Sequence, residues 1–177
     1  LRCLVGSEMC IRDRYIIGMS TLYQFLRSKG YTRVRLQTLP TNHYVVVATL
    51  NGIEGRFILD TGASNTCVSA ELNTHFHLNA KPSEEKASSA STNELDTEVA
   101  HHNELIIGSW SSQRRSLVLF DMQAVNHALQ KLDIENVNGI IGADVLKSTK
   151  AVIDYNNNWL YLKSVSYTHL TLPTNGC

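Results

Sequence analysis

The sequence predicts a mainly β fold, a closed β-barrel or sandwich carrying two or three short helices. Three observations carry that expectation. Short β-branched runs such as Tyr44-Val-Val-Val-Ala48 recur between turn residues and are strand-sized. Asn51-Gly52 separates two such runs, the strongest short hairpin signal. Helical spacing of apolar residues is confined to a few brief stretches. With 177 residues, 43% hydrophobic and 18% charged, the chain is long and apolar enough for one domain with a real core. No internal repeat and no linker divides it.

The elements follow in chain order. Ser20 is placed to cap a short helix over Thr21 to Lys29, with Leu22, Phe25 and Leu26 on one face and Gly30 as the stop. Val34 to Leu39 alternates apolar residues with Arg and Gln as an edge strand does, and Pro40 ends it. His43 to Leu50 is a strand, Asn51-Gly52 its turn, and Glu54 to Leu59 the return strand, which runs into Asp60-Thr61-Gly62. From Lys81 to Glu98 the composition shifts to Ser, Ala, Thr, Glu and Lys, a polar loop or mobile hairpin. Leu105 to Ile107 and Ser116 to Phe120 are further strands, joined through Gly108 to Arg115. Asp121 caps a helix from Met122 to Leu132, with Val125, Leu129 and Leu132 as its buried stripe. Asn138-Gly139 turns into Ile140-Ile141, and Gly142-Ala143-Asp144 opens a helix over Val145 to Ser148. Ala151 to Asp154 and Trp159 to Leu162 then flank an Asn-rich hairpin turn.

Composition excludes several classes. Lys+Arg and Asp+Glu both total 16, so bulk charge does not suit the chain to nucleic acid or an anionic membrane. No apolar run reaches the roughly 18–20 residues that span a bilayer. The two ends, residues 1–18 and 164–177, resemble translated sequencing-adaptor reads and are set aside as assembly scars, which leaves residues 19–163 as the expected domain. Cys3, Cys10 and Cys177 lie in those ends, and Cys67 is then alone in the body. A lone cysteine fits a reducing, cytoplasmic setting rather than a disulfide-stapled secreted one.

One segment carries chemistry. Phe57-Ile58-Leu59-Asp60-Thr61-Gly62-Ala63-Ser64 puts a carboxylate at the end of an apolar strand, which holds Asp60 at a fixed, partly desolvated place. Thr61 supplies a hydroxyl able to bond across an interface, and Gly62 lets the backbone turn and approach a neighbour closely. One carboxylate is not a hydrolytic machine. Two about 3 Å apart share a proton, and the pair activates a water as base and protonates the leaving nitrogen as acid.

This segment resembles the signature of the retropepsin-like aspartic proteases, the single-domain relatives of pepsin. A second family element, an apolar pair followed by Gly and a helix, matches Gly139-Ile140-Ile141-Gly142-Ala143-Asp144-Val145-Leu146, and Lys150 to Tyr155 is similar to the family's closing strand. The resemblance spans roughly His43 to Lys163 and implies a closed-barrel acid-protease fold and a bacterial type of member. It implies an aspartic endopeptidase with Asp60, Thr61 and Gly62 as catalytic residues, a polypeptide substrate, and no metal or cofactor. The flap that covers substrate in this family corresponds to Lys86 to Asn93. Ser88, Ser89, Ala90 and Ser91, with Ala63 on the floor, are then the substrate-binding residues. Ala63 stands where many relatives carry Ser or Thr, which implies a dyad lacking that donor and keeping its shared proton to higher pH. A single Asp-Thr-Gly implies a two-fold homodimer with one Asp60 from each chain. The family's terminal strands commonly form the dimer sheet, which singles out Trp159 to Leu162. The alternative is a catalytically silent retropepsin-like module for peptide binding or assembly.

Other candidates read as structure. Asp144 caps its helix or pairs with an Arg. Ser64 lacks the closing Gly of a nucleophile elbow, and Gly139-Ile140-Ile141-Gly142 lacks the Lys of a phosphate loop. His75, His77, His101 and His102 have no Cys or acidic company at ligand spacing and read as surface residues. Cys67 reads as a small buried hydrophobe.

Overall fold

The structure is a computed structural model that describes residues 21–82 and 98–164. Tight turns cut the apolar runs into eleven strands and three α-helices among these residues, with one 3-10 turn at Ala70–Leu72. In order they are α1 (Leu22–Ser28), β1 (Tyr31–Arg35), β2 (Gln37–Thr38), β3 (Tyr44–Leu50), β4 (Ile53–Leu59), β5 (Cys67–Ser69) and β6 (Ala80–Pro82). Then come β7 (Glu98–Ile107), β8 (Trp110–Phe120), α2 (Gln123–Gln130), β9 (Gly139–Ile141), α3 (Ala143–Ser148), β10 (Val152–Asp154) and β11 (Trp159–Lys163). The large sheet runs β2-β3-β4-β9-β5-β8-β7-β6. Thr49 and Leu50 of β3 also pair with Ile106 and Leu105 of β7, which closes six strands into the expected barrel.

The β3–β4 hairpin turns as the sequence predicts. Asn51 and Gly52 both have positive φ, 49° and 85°, the turn whose twist matches its strands. Asn51 also ties the hairpin to the barrel: its Nδ2 donates to the Phe76 carbonyl and to Asn103 Oδ1, and its Oδ1 accepts from Glu104 N, each at 2.9 Å. Period-two alternation along β3 and β4 then sorts the side chains. Val46, Leu50 and Phe57 fill the barrel with Val68, Phe76, Leu105 and Ile141. Val45 and Ile58 face the other way and pack with Met122, Leu129, Ile134 and Val137 beside α2.

Several elements differ from expectation, each for a local reason. Thr21 caps α1 through a capping box with Gln24, while Ser20 lies outside the described residues. Only Leu26 of the expected apolar face is buried; Leu22 and Phe25 are exposed. The single strand expected over Val34 to Leu39 is split at Leu36, which turns into the core and donates its N–H to the Asn158 carbonyl. Strand β7 starts at Glu98 rather than Leu105, and β8 starts at Trp110 rather than Ser116, so only Gly108-Ser109 separates them. The N-cap of α2 is Met122 rather than Asp121, which lies one residue ahead and accepts from Gln123 N at 2.8 Å; Leu132 lies past the end of the helix and is exposed. The helix buries Asn126 instead, which exchanges two hydrogen bonds with the Val137 backbone. Asn138 makes no turn; its N–H donates to the Arg56 carbonyl and its Oδ1 accepts from Arg56 N, both at 2.7 Å.

A smaller sheet, β1-β11-β10, covers one side of the barrel with Leu160 and Leu162 facing inward. Strand β11 lies in its middle, so both of its hydrogen-bonding edges are taken within the chain. Trp159 to Leu162, singled out for a dimer sheet, therefore presents no free strand edge of its own. The β10–β11 turn is held by Asp154, whose carboxylate accepts from Asn156 N, Asn157 N and Asn157 Nδ2. The Asn157 side chain first, and the backbone donors after it, hold that carboxyl below its ordinary range.

Gly139 sits where β9 is squeezed between β4 and β5. A Cβ there would overlap the Cys67 carbonyl oxygen and come within 2.9 Å of the Phe57 ring. Backbone cannot yield as a side-chain tip can. Gly139→Ala is therefore expected to destabilise the fold by about 3 kcal/mol, the upper end of overpacking costs. Denaturant unfolding of the two proteins checks this; an unmoved midpoint would mean that β9 has room to shift.

Candidate active site

The two sequence motifs, far apart in the chain, meet in space. Strand β9 runs parallel to β4, with Phe57 beside Gly139, Ile58 beside Ile140 and Leu59 beside Ile141. Both strands therefore end at the same level, with Asp60 after one and Gly142 after the other. Asp60 N–H donates to the Ile141 carbonyl at 3.1 Å, the last bond before the chains diverge.

From there the loop 60–66 folds over the start of α3. A helix start leaves backbone N–H groups without partners. Here the loop supplies them: Ala143 N donates to the Ala63 carbonyl at 2.7 Å and Asp144 N to the Ser64 carbonyl at 3.2 Å. Gly142 N donates to Thr66 Oγ1 at 3.1 Å, and Thr66 Oγ1 donates onward to Asp144 Oδ1 at 2.7 Å. A Cβ on Gly142 would overlap the Asn65 carbonyl and reach the Ala63 carbonyl oxygen at 3.0 Å, so the approach needs glycine.

The Asp60 carboxylate is oriented by its own loop, with Oδ1 accepting from Gly62 N at 2.8 Å. Asp60, Thr61 and Gly62 are all exposed and Ala63 is half-buried. Among the described residues, the partly desolvated position expected for Asp60 is thus not produced. The apolar strand ends one residue short of it, and nothing in the described residues covers the carboxylate. Ser88, Ser89, Ala90 and Ser91 lie outside the described residues.

Thr66 was not singled out by the sequence. It stands in the run Ser64-Asn65-Thr66 and carries no local signal; its partner Asp144 is 78 residues away. Asp144 itself occupies the first turn of α3, favourable for a carboxylate. Its side chain, however, goes to the Thr66 hydroxyl rather than to a helix N–H. The Arg115 guanidinium, lodged between strand β8 and α3, donates to Ser148 Oγ at 2.7 Å. Burial pulls its pKa down while the Asp144 charge opposes the change.

Cys67 follows Thr66 and donates its thiol to the Asn65 carbonyl. Burial, then the charges of Asp144 and Asp60, push that thiol up to about 12. It is neutral in ordinary buffers, but Cys67 is half-buried rather than the fully buried small hydrophobe expected. His75 and His77 flank the buried Phe76 in a turn, not a strand, and both are exposed. His101 and His102 sit at a bulge of β7, where His101 Nδ1 bonds Ser116 Oγ. Among the described residues, no three His, Cys, Asp or Glu side chains gather as a metal site would need. No helix of the described residues is long and apolar enough to cross a membrane.

A closed six-strand barrel with an Asp-Thr-Gly loop locked to the helix after β9 defines a retropepsin-like acid-protease fold. The family described as aspartyl protease matches residues 46–145, more than half of the chain, and the protein belongs to it. Its fold is similar to that of a retropepsin-like aspartic protease from Rickettsia conorii. The TM-score is 0.51 and the identity 15%, over 76% of this chain and 92% of that one. The EIAV protease complexed with the inhibitor HBY-793 matches with a TM-score of 0.49 and 11% identity, over 67% of this chain and 98% of that one. The retroviral protease-like domain of Ddi1 from Leishmania major matches at 0.46 and 17%, over 67% and 86%. No curated protein sequence matches the chain.

Two outcomes follow from this geometry. Thr66→Val keeps the shape but strands the Gly142 N–H and one Asp144 oxygen. It is expected to cost about 1–3 kcal/mol, with Thr66→Ser recovering most of it; equal unfolding midpoints for all three would show the loop needs no latch. The Cys67 thiol ionises near its ordinary 9.0 when unfolded and at about 12 when folded. Between those values the unfolded chain has lost a proton that the folded chain keeps, so stability falls as pH rises above 9.0. Cys67→Ala is expected to flatten that alkaline decline. Denaturant midpoints of both proteins below and above the ordinary thiol range measure it, and parallel declines would mean that Cys67 is not the group responsible.

Proposed function

We propose that two copies of this chain form an aspartic endopeptidase in which Asp60 of one protomer meets the partner subunit's Asp60 on a two-fold axis. The observation that supports this most is the state of Asp60 in one chain. It is exposed, its Oδ1 is fixed by Gly62 N–H, and its loop is bonded to α3 at four points. A rigidly held yet uncovered carboxylate suits a group completed by a second copy. The sequence contains one Asp-Thr-Gly, so the second carboxylate comes from another chain.

In this reading the two carboxylates, about 3 Å apart, hold one proton between them. The ionised one takes a proton from water as the water attacks the peptide carbonyl. The protonated one gives its proton to the leaving nitrogen. The Thr61 hydroxyl, exposed on the same loop, is available to bond across the axis. Two carboxylates and a water suffice, so the reaction draws on no metal or cofactor. The substrate is a polypeptide lying extended over Ala63 and under the segment containing Ser88, Ser89, Ala90 and Ser91. Residues 19–163 form the catalytic domain, and a reducing cytoplasm suits its single neutral thiol.

Asp60→Asn removes the shared-proton pair and changes little volume. It is expected to abolish cleavage of a peptide library while leaving the unfolding midpoint and the dimer intact. Activity per chain of the parent is expected to fall on dilution. Cleavage by the Asn variant at the parental rate, or full activity in a sedimenting monomer, would sink the proposal. A statine-type transition-state mimic separates it from a silent binding module, because a competent dyad binds the mimic far more tightly than a substrate peptide.

A further inference from the structure

Residues 21–53 carry Arg27, Lys29, Arg33 and Arg35 and no acidic residue. The small sheet concentrates this charge. The β1–β11 register sets Arg35 opposite Trp159, Arg33 opposite Tyr161 and Tyr31 opposite Lys163, all on the sheet face away from Leu160 and Leu162. The Arg33 guanidinium lies between two rings, 3.7 Å from the centroid of Tyr23 and 4.2 Å from that of Trp159. Arg35 lies 5.1 Å from Trp159, and Lys163 Nζ 5.8 Å from Tyr31. Among the described residues none of these cations has an acidic partner, the one ion pair being Arg56 with Glu135. The nearest carboxylate in the layer, Asp154, is turned onto its own hairpin.

A guanidinium held within 4.2 Å of two ring centroids has lost freedom to swing, while its N–H groups remain able to donate. That is the arrangement for a two-pronged grip on a carboxylate. The strip also leads to the candidate active site. Arg35 Nη1 donates to the Asn157 carbonyl at 2.6 Å, and Tyr44 Oη donates to the neighbouring Asn158 Oδ1 at 2.8 Å. Tyr155, with 68% of its surface exposed, sits 5.5 Å from the Tyr44 ring. Tyr44 pairs with Leu59, the residue before Asp60.

We propose that this strip, from Tyr155 through Arg35 and Trp159 to Arg33, binds an acidic segment of the polypeptide substrate outside the cleavage site. The inference rests on the peptidase reading for the word substrate. The charge supplies the complementarity, and the continuity with the Asp60 end of β4 favours a polypeptide over a nucleic acid.

The test uses the Asp60→Asn protein, so that probes are not consumed, and reads fluorescence anisotropy. The probes are a labelled Glu-rich peptide, the same peptide with Gln for every Glu, and single-stranded DNA of equal charge. The Glu peptide is expected to bind about tenfold tighter than the Gln peptide, weakening as salt is added. Adding Arg33→Gln and Arg35→Gln is expected to erase the difference, while Lys131→Gln on the far helix leaves it unchanged. Thermal unfolding checks that the double variant folds; if it does not, Arg35→Gln alone carries the test, since Arg35 stacks on one ring only. Equal binding of Glu and Gln peptides, or DNA binding as tightly as the Glu peptide, would overturn the proposal. Cleavage assays with the parent keep the two readings apart. Cleavage that ignores Glu content defeats the strip and spares the peptidase, whereas Glu-dependent binding without any cleavage does the reverse.

Discussion

The start of α3 cannot satisfy its own N–H groups, and the loop after β4 can. That one need organises the candidate site. Ala63, Ser64 and Thr66 supply three acceptors, and in supplying them the loop has its path set from Ala63 to Thr66. Each bond contributes only about 1 kcal/mol net, but leaving any of these donors buried and unpaired costs more than that. Because most of the contacts are backbone to backbone, they constrain spacing more than side-chain identity. Where identity is constrained the reason is steric: Gly139 and Gly142 are the places where strand, loop and helix approach closer than a Cβ allows.

The parts of the fold that were legible in the sequence are those with local signals. Asn51-Gly52 marks its hairpin because the turn needs positive φ at both positions. The apolar runs of β3 and β4 alternate because one face fills the barrel and the other meets α2. Asp60 and the Gly139–Leu146 motif stood out for their pattern, and the structure joins them through β4–β9 pairing. What was hidden depends on distant partners. The parts of β7 and β8 that were missed, Glu98 to Glu104 and Trp110 to Arg115, are mostly polar, so no hydrophobic period announces them. Leu36 breaks a plausible edge strand because a different sheet claims the residues before it. Thr66 reads as one more polar loop residue until Asp144 and Gly142 are seen on either side of its hydroxyl.

Exposure of Asp60 bears on how far sequence can describe a site. An apolar strand leading into a carboxylate suggests burial, but burial is a property of what lies beyond the strand end. Among the described residues Asp60 stays exposed. Cys67, next to the Thr66 latch, shows the contrast: it is half-buried, and burial together with the charges of Asp144 and Asp60 pushes its thiol up to about 12. The same few residues thus run from the buried Thr66 through the half-buried Cys67 to the exposed Asp60, and the group on the rim is the one that a second copy or a substrate would enclose.

Net charge hides what the small sheet reveals. Equal totals of 16 basic and 16 acidic residues speak against binding by bulk charge, and that argument holds for the molecule as a whole. It does not reach a surface on which the charges have separated. From residue 21 to residue 53 the chain carries only basic ones, and β1 places two of them beside Trp159 on the far side of the barrel wall. Salt screens charges over about 8–10 Å, so a partner at that face responds to the local arginines rather than to the charge total. The selectivity of a neutral protein can therefore be set by where a strand of arginines is folded, a quantity that composition averages away and that the β1–β11 register restores.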